Sequence, residues 1–273
     1  MRSSNPAMNS LTKGYSSQRG MGQAPNPYAM NDNPFQSPAA QTSARPMTVD
    51  DVVTKTGITL GVIIAVAVVN FLIAMSGNVG LAMVLALVGA VGAFVTTLVF
   101  AFGKKFGSAA VTLIYAAFEG LLVGGFSFIF ADVSFGNTNG MALIGQAIMG
   151  TVGVFVGMLI VYKMGAVKVT PKFNKIMFGL IAGVAIMSLG NFLTAIFFGF
   201  NPLRDGGMIA IIFSLVCIVL AALSFMTDFD TADQLIRAGA PANYAWGVAL
   251  GLAVTLVWLY TEILRLLSYF QER

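Results

Sequence analysis

Residues 208–227 read MIAIIFSLVCIVLAALSFMT, a run of twenty positions without a charged side chain. A helix of about 20 apolar residues is long enough to cross the hydrocarbon core of a membrane. The next stretch, DFDTADQLIRAG at 228–239, places Asp228, Asp230 and Asp233 within six positions, although the chain has only 11 acidic residues. The sequence therefore predicts a membrane-spanning helix followed by a concentrated group of carboxylates.

The run at 208–227 is one of seven apolar stretches. The other six have approximate limits of 57–76, 79–103, 109–131, 141–162, 176–199 and 244–268. Any one of them could be a buried helix of a soluble protein, but seven in series, joined by short polar loops, are typical of a polytopic membrane protein. We predict an all-α fold, a bundle of seven transmembrane helices.

The composition supports this class and excludes several chemistries. Charged residues make up 10% of the 273 positions, whereas about 25% is usual in soluble domains. The chain has no histidine and a single cysteine, Cys217, which excludes histidine triads, histidine metal ligands and an internal disulfide. The sequence has no phosphate-binding loop, no GxSxG and no HExxH. We expect no enzymatic activity, no cofactor and no nucleic-acid partner.

The N-terminal segment differs from the rest. Residues 1–47 hold six of the nine prolines and few aliphatic side chains, so they cannot bury enough apolar surface to offset the entropy of ordering. We predict a disordered cytoplasmic tail over 1–47 and a transmembrane domain over 48–270. Thr48, followed three residues later by Asp51, resembles a capping box and predicts where the first helix begins.

Lysine and arginine are distributed unevenly among the loops. Lys55 precedes the first span, and most other basic residues of the predicted domain lie in the second, fourth and sixth loops, whereas the alternate loops hold only Arg204. Because cytoplasmic loops are enriched in Lys and Arg, we predict a cytoplasmic N-terminus and an external C-terminus. The lipid bilayer is thus the first partner that we expect.

Acidic residues within or beside the spans are the candidate functional groups, because charge is costly in hydrocarbon. Glu119 lies ten residues into the third span, and its alternative interpretation is a protonated side chain that binds a neighbouring helix. Asp228 and Asp230 are two apart, so they would face one cavity only if the helix ended or unwound there; otherwise they belong to a solvated helix end. Asp233 is predicted to be a surface acid near Arg237.

Other polar residues have supporting or structural interpretations. Tyr115, four residues before Glu119, could bind it. Glu262 and Arg265 predict a local ion pair that reaches the outer interface. Thr255 is predicted to join helices. Small-residue pairs four apart predict close helix packing. These pairs are Gly120/Gly124, Gly153/Gly157, Gly179/Gly183 and Gly247/Gly251.

Four segments in this order resemble the transmembrane Bax inhibitor motif family, particularly its bacterial, actinobacterial branch. They are TVDDVVTKTGITLG (48–61), YAAFEGLLVGGFSFIF (115–130), DFDTADQLIRAGAPANYAW (228–246) and VTLVWLYTEILRLLSYF (254–270). The resemblance implies a small helical bundle with a central last helix, and a pH-sensitive passive calcium leak in the bacterial plasma membrane. It also implies two proton-sharing aspartates, one in each of the last two helices.

The resemblance assigns the helix-six aspartate to Asp230, while the helix-seven position falls at Val254 or Thr255, neither of which is acidic. Asp228 or Glu119 could supply the missing carboxylate. We therefore expect Asp230, Asp228 and Glu119 to bind ions or protons, with Asp230 and Asp228 as calcium ligands and Thr255, Tyr115 and Arg265 in support. The alternative is a non-transporting regulator that binds a membrane protease or stress-response partner.

Overall fold

The computed structural model describes residues 45–103, 105–133 and 140–271, without the side chains of residues 132 and 133. Within these ranges the chain forms seven α-helices, and a 3-10 turn at Ala242–Tyr244 joins the last two. The helices are α1 (Val49–Met75), α2 (Val79–Phe102), α3 (Ala109–Val133), α4 (Gly140–Lys163), α5 (Pro171–Phe198), α6 (Met208–Arg237) and α7 (Ala245–Gln271). Apart from residues 45–47, the predicted tail lies outside the described residues.

All seven helices are long and apolar enough to cross a membrane. Many large apolar side chains, among them Leu87 on α2, Phe94 on α2 and Ile186 on α5, are exposed on the outside of the bundle. A soluble monomer rarely exposes so much contiguous apolar surface, whereas lipid accommodates it. The prediction of an all-α, multi-pass membrane protein is confirmed.

The first helix begins as the sequence predicts. The Asp51 amide donates to the Thr48 hydroxyl at 3.3 Å, and the Thr48 amide donates to the Asp51 carboxylate at 3.0 Å. This reciprocal capping box satisfies two amides that a helix start leaves unpaired.

The last helix is the centre of the bundle. α7 packs against α1, α3, α4 and α6, and most of its residues are buried, whereas few residues of α4 and α5 are buried. Its small residues, such as Ala249 and Ala253, are completely buried and allow neighbouring helices to come close. The central last helix implied by the family resemblance is therefore present.

Helix α6 extends beyond the apolar run at 208–227 from which it was predicted. It continues through all three aspartates to Arg237, ten residues beyond the predicted limit of 227. It ends where Gly239 adopts a positive φ of 66° and the Ala240 amide donates to the Leu235 carbonyl at 3.0 Å, which is a glycine-dependent helix stop. The alternative in which the helix unwinds at Asp228 is wrong.

The glycine pairs have different surroundings. On α3, a methyl group at Gly120 would lie 2.7 Å from the Ile63 carbonyl oxygen of α1, and one at Gly124 would overlap the Ala67 carbonyl. This pair is a helix contact, as predicted. A methyl group at Gly153 or Gly157 of α4 would meet no atom within 4 Å, and the same is true of Gly179 and Gly183 of α5. For those two pairs the packing prediction is wrong within the described chain, because their faces point out of the bundle.

Candidate functional site

Asp228 is the most deeply enclosed acid of the α6 group. It is 0% exposed, and its Oδ2 accepts a hydrogen bond of 2.7 Å from the Thr255 hydroxyl of α7. Asp228 lies nine residues before the end of α6, and Thr255 lies ten residues after the start of α7. At 1.5 Å per residue, both are about 14 Å from the loop that joins the two helices. A carboxyl group thus lies inside the α6–α7 interface, well away from either helix end.

Asp230 lies on a different face of the same helix. It is partly exposed, and its Oδ2 accepts a 2.6 Å hydrogen bond from the Gln234 amide one turn further on. Two residues correspond to about 200° of rotation on a regular helix, so Asp228 and Asp230 point away from each other. The structure therefore does not bring these two predicted calcium ligands together.

The helix-seven position expected from the family resemblance holds Thr255, and this residue contacts Asp228 rather than Asp230. A threonine hydroxyl can donate to a carboxylate and also accept a hydrogen bond, but it carries no charge. The hydroxyl is also 3.3 Å from the Gly251 carbonyl of its own helix. The α6–α7 contact thus holds one acidic group and one hydroxyl where two aspartates were expected.

Glu119 of α3 lies at a similar height in the bundle. Two hydrogen bonds fix the register of α3 against α7: Thr112 to the Trp246 carbonyl at 3.0 Å, and Ser127 with Tyr260 at 2.8 Å. The helices run parallel, so interpolation places Glu119 level with residues 252–253 of α7, less than one turn from Thr255. The Tyr115 hydroxyl interacts with the Glu119 carboxylate, as the four-residue spacing predicted.

Asp233 and Arg237 form the surface pair that the sequence predicted. Their closest side-chain atoms are 2.8 Å apart, and the side chains are 35% and 78% exposed. Asp233 is therefore separate from the buried acid of the group.

A second buried charged group lies near the opposite end of α7. Glu262 Oε1 is 2.7 Å from Arg265 Nη1 and 3.9 Å from Arg204 Nη2 of the α5–α6 loop. The ion pair Glu262–Arg265 is present as predicted. The two residues are buried within the bundle, at 2% and 6% exposed, and the Arg265 guanidinium lies 5.4 Å from the centre of the Phe126 ring.

The contribution of Arg204 to this group was not predicted. Burial lowers the pKa of Arg204, the nearby Arg265 lowers it further, and Glu262 acts in the opposite direction. The only sequence signal was that Arg204 is the one basic residue in the α1–α2, α3–α4 and α5–α6 loops. Because two guanidinium groups share one carboxylate, the net charge of the cluster is positive.

The Asp228 carboxyl and the Thr255 hydroxyl offer oxygen atoms, which suit hard cations and protons. Within the described ranges, no three acidic or cysteine side chains converge on one point, while calcium in a resident site takes six to eight oxygen ligands. The arrangement around Asp228 and Thr255 thus offers a single carboxylate as a point of passage or protonation.

No curated protein matches the chain significantly. A family model described as Bax inhibitor 1 like matches residues 5–272, which includes every described helix. The matched range holds the seven spans, the central last helix and the buried Asp228. The chain belongs to the Bax inhibitor 1 like family.

Proposed function

We propose that the protein is a passive cation leak, with calcium as the transported ion, and that Asp228 is the group that controls it. The observation that carries this proposal is the fully buried Asp228 carboxyl bonded to Thr255 in the α6–α7 interface. Buried ionisable groups in membrane spans are costly and are retained where ions or protons pass. The family resemblance supports calcium and a response to pH.

Protonation of Asp228 gives the proposed control. A neutral carboxyl can remain in the apolar α6–α7 interface with its bond to Thr255, whereas the buried carboxylate needs a counter-charge or water. Loss of the proton therefore favours separation of the two helices and entry of a cation. Glu119, less than one turn from Thr255 in height, and Asp230, nearer the end of α6, provide further oxygen atoms along the path.

We further propose that the membrane is the bacterial plasma membrane and that the loop between α6 and α7 faces the cytoplasm. The lysine-rich α4–α5 loop then lies on the same side as this loop. Calcium would enter the path from the opposite side, pass Asp228 and leave beside the α6–α7 loop. No catalytic chemistry is part of this proposal.

A calcium-flux assay in proteoliposomes between about pH 6 and pH 8 tests the proposal, since buried carboxyl groups can titrate in that range. We expect the wild type to pass calcium faster than empty liposomes, with a rate that changes with pH. Asp228→Asn cannot ionise, so its rate should be independent of pH. Asp233→Asn is the matched control, because it neutralises an exposed acid five residues away on the same helix.

Two results would contradict the proposal. The first is a wild-type flux equal to that of empty liposomes at every pH. The second is an Asp228→Asn variant with the same pH profile as the wild type and Asp233→Asn. Replacing calcium with potassium in the same assay measures the preference for a divalent ion.

A non-transporting regulator is the second candidate. The position of Arg45 favours this candidate, because its backbone contacts the α6–α7 loop. A partner bound to the segment before Arg45 would therefore lie close to α6 and α7. Deletion of residues 2–44 separates the candidates: loss of a cellular phenotype with intact calcium flux supports the regulator. Loss of flux with an unchanged phenotype supports the leak.

A further inference from the structure

The short segment before α1 is paired with the loop that joins the two central helices. We call residues 45–47 the strap. The Met47 amide donates to the Ala240 carbonyl at 2.7 Å, and the Ala242 amide donates to the Arg45 carbonyl at 2.8 Å. Between these bonds, Pro46 and Pro241 form an antiparallel bridge. The strap thus pairs with the α6–α7 loop through an isolated antiparallel bridge, although nearly two hundred residues separate the two segments.

A buried side chain holds the strap in place. Met47 is 2% exposed and belongs to the main apolar core, together with Tyr244 and Ala240 of the α6–α7 loop. Removing a buried methionine side chain from water is worth about 2 kcal/mol. On the other side, Arg45 lies 2.6 Å from Asp51, which is itself part of the capping box of α1. The strap therefore has an apolar anchor and a connection to the start of α1.

Helix α1 adds a further contact to the same loop. The Lys55 ammonium donates to the Ala242 carbonyl at 2.5 Å and lies 5.7 Å from the centre of the Trp246 ring in α7. The loop is thus held by backbone bonds from the strap and by a charged side chain from α1. A cation near an aromatic face contributes a further attraction.

The held loop controls the spacing of the Asp228–Thr255 contact. Asp228 and Thr255 are each about 14 Å from this loop along their helices. They cannot separate by a hinge at the loop unless the loop's outer contacts change, because Ala240 and Ala242 are fixed to the strap. The contacts of the strap thus restrain the loop that connects α6 with α7.

We propose that the strap is a latch on the α6–α7 hairpin: its bonds to the loop keep the Asp228–Thr255 contact closed, and its release precedes opening. The part of this inference that concerns flux rests on the proposed leak, whereas the linkage between strap and hairpin does not. A purely structural strap would remain bound during conduction.

A reversible cross-link tests the latch. Partners in an antiparallel bridge have Cα atoms about 4.5 to 5.5 Å apart, a separation that a disulfide can span. Pro46→Cys with Pro241→Cys can be oxidised and reduced in one sample, and the native Cys217 is buried. The disulfide should not change calcium flux if the strap stays bound during conduction, whereas it should reduce flux if the strap must be released. Because a disulfide prevents release of the strap, we expect oxidation to bring calcium flux close to that of empty liposomes, and reduction to restore it.

The single variant Pro46→Cys, treated with the same oxidant, is the matched control and should not respond. Equal flux in the oxidised and reduced double variant would overturn the latch. If the wild type shows no calcium flux, the proposed leak fails but the latch is still tested by amide hydrogen exchange across residues 235–248. There, reduction of the double variant should accelerate exchange, and an unchanged rate would overturn the latch.

Two deletions provide an independent measurement. Removing residues 2–44 leaves the strap, whereas removing residues 2–47 deletes it, and both leave Thr48 to begin α1. We expect about fivefold faster exchange around Asp228 and Thr255, away from the amides that the strap itself bonds, in the second deletion only. The same exchange rate in both deletions would overturn the latch, and the cross-link decides the matter if the longer deletion does not fold.

Discussion

At the scale of single residues, three aspartates within six positions have three different surroundings. Asp228 is enclosed and bonded to Thr255, Asp230 is bonded to Gln234 on its own helix, and Asp233 is paired with Arg237 at the surface. Asp228 joins α6 to α7 in the bundle interior, whereas Asp233 also interacts with Tyr162 of α4. The chemical similarity of neighbouring acids in a sequence is therefore a poor guide to their roles, because one helical step of 100° changes what each side chain meets.

The residue-scale prediction concerns the buried cluster of Glu262, Arg265 and Arg204. We expect Glu262→Gln to lower the free energy of unfolding by about 3 kcal/mol, because it leaves two guanidinium groups without their carboxylate. Asp233→Asn breaks an exposed pair and should cost less than about 1 kcal/mol. Thermal or denaturant unfolding of the two variants in the same detergent measures the difference.

The double variant Glu262→Gln with Arg265→Met is the control for this interpretation. It removes the uncompensated charge of Arg265 as well, so part of the lost stability should return. Equal losses in Glu262→Gln and Asp233→Asn would show that the cluster does not depend on charge compensation.

At the scale of elements, the α1–α3 contact depends on the absence of side chains. A methyl group at Gly124 would overlap the Ala67 carbonyl, which belongs to a helix backbone and cannot rotate away. We expect Gly124→Ala to lower the free energy of unfolding by about 1 to 3 kcal/mol through overpacking. Gly153→Ala is the matched control in α4: it meets nothing within 4 Å, and alanine's higher helix propensity should leave stability unchanged or about 1 kcal/mol higher.

Unfolding measurements on both variants in one lipid or detergent system check this prediction. Equal effects of the two substitutions would mean that the α1–α3 contact tolerates an increase in spacing. A loss confined to Gly153→Ala would instead indicate a packing partner for α4 outside the described residues.

Element positions were predictable from the sequence to different degrees. The apolar runs gave every helix, because a spanning helix needs length and hydrophobicity and little else. The extension of α6 to Arg237 was not predicted, because hydropathy reports the apolar part of a helix and not its polar end. The Asp228–Thr255 and Lys55–Ala242 contacts join residues 27 and 187 positions apart. No local sequence pattern predicts contacts between residues so far apart.

At the scale of the whole molecule, α7 connects the polar groups of the bundle. Thr255 and Tyr260 contact α6 and α3, Trp246 lies beside Lys55 of α1, and Glu262 lies near Arg204 of the α5–α6 loop. The buried charged cluster and the strapped loop are at opposite ends of this helix. Movement of α6 against α7 would therefore disturb contacts at both ends of the bundle. Asp228 lies between these two ends.

The orientation of the bundle in the membrane is predicted by loop charge and can be measured. Lys168 in the α4–α5 loop and Asn78 in the α1–α2 loop are both exposed and lie at opposite ends of the bundle. The enrichment of lysine in the α4–α5 loop predicts that this loop faces the cytoplasm. With Cys217→Ala to remove the native thiol, a membrane-impermeant maleimide should label Asn78→Cys on intact cells and Lys168→Cys only after permeabilisation. The reverse pattern would invert the topology, placing the strap and the α6–α7 loop outside and turning the proposed calcium exit into its entrance.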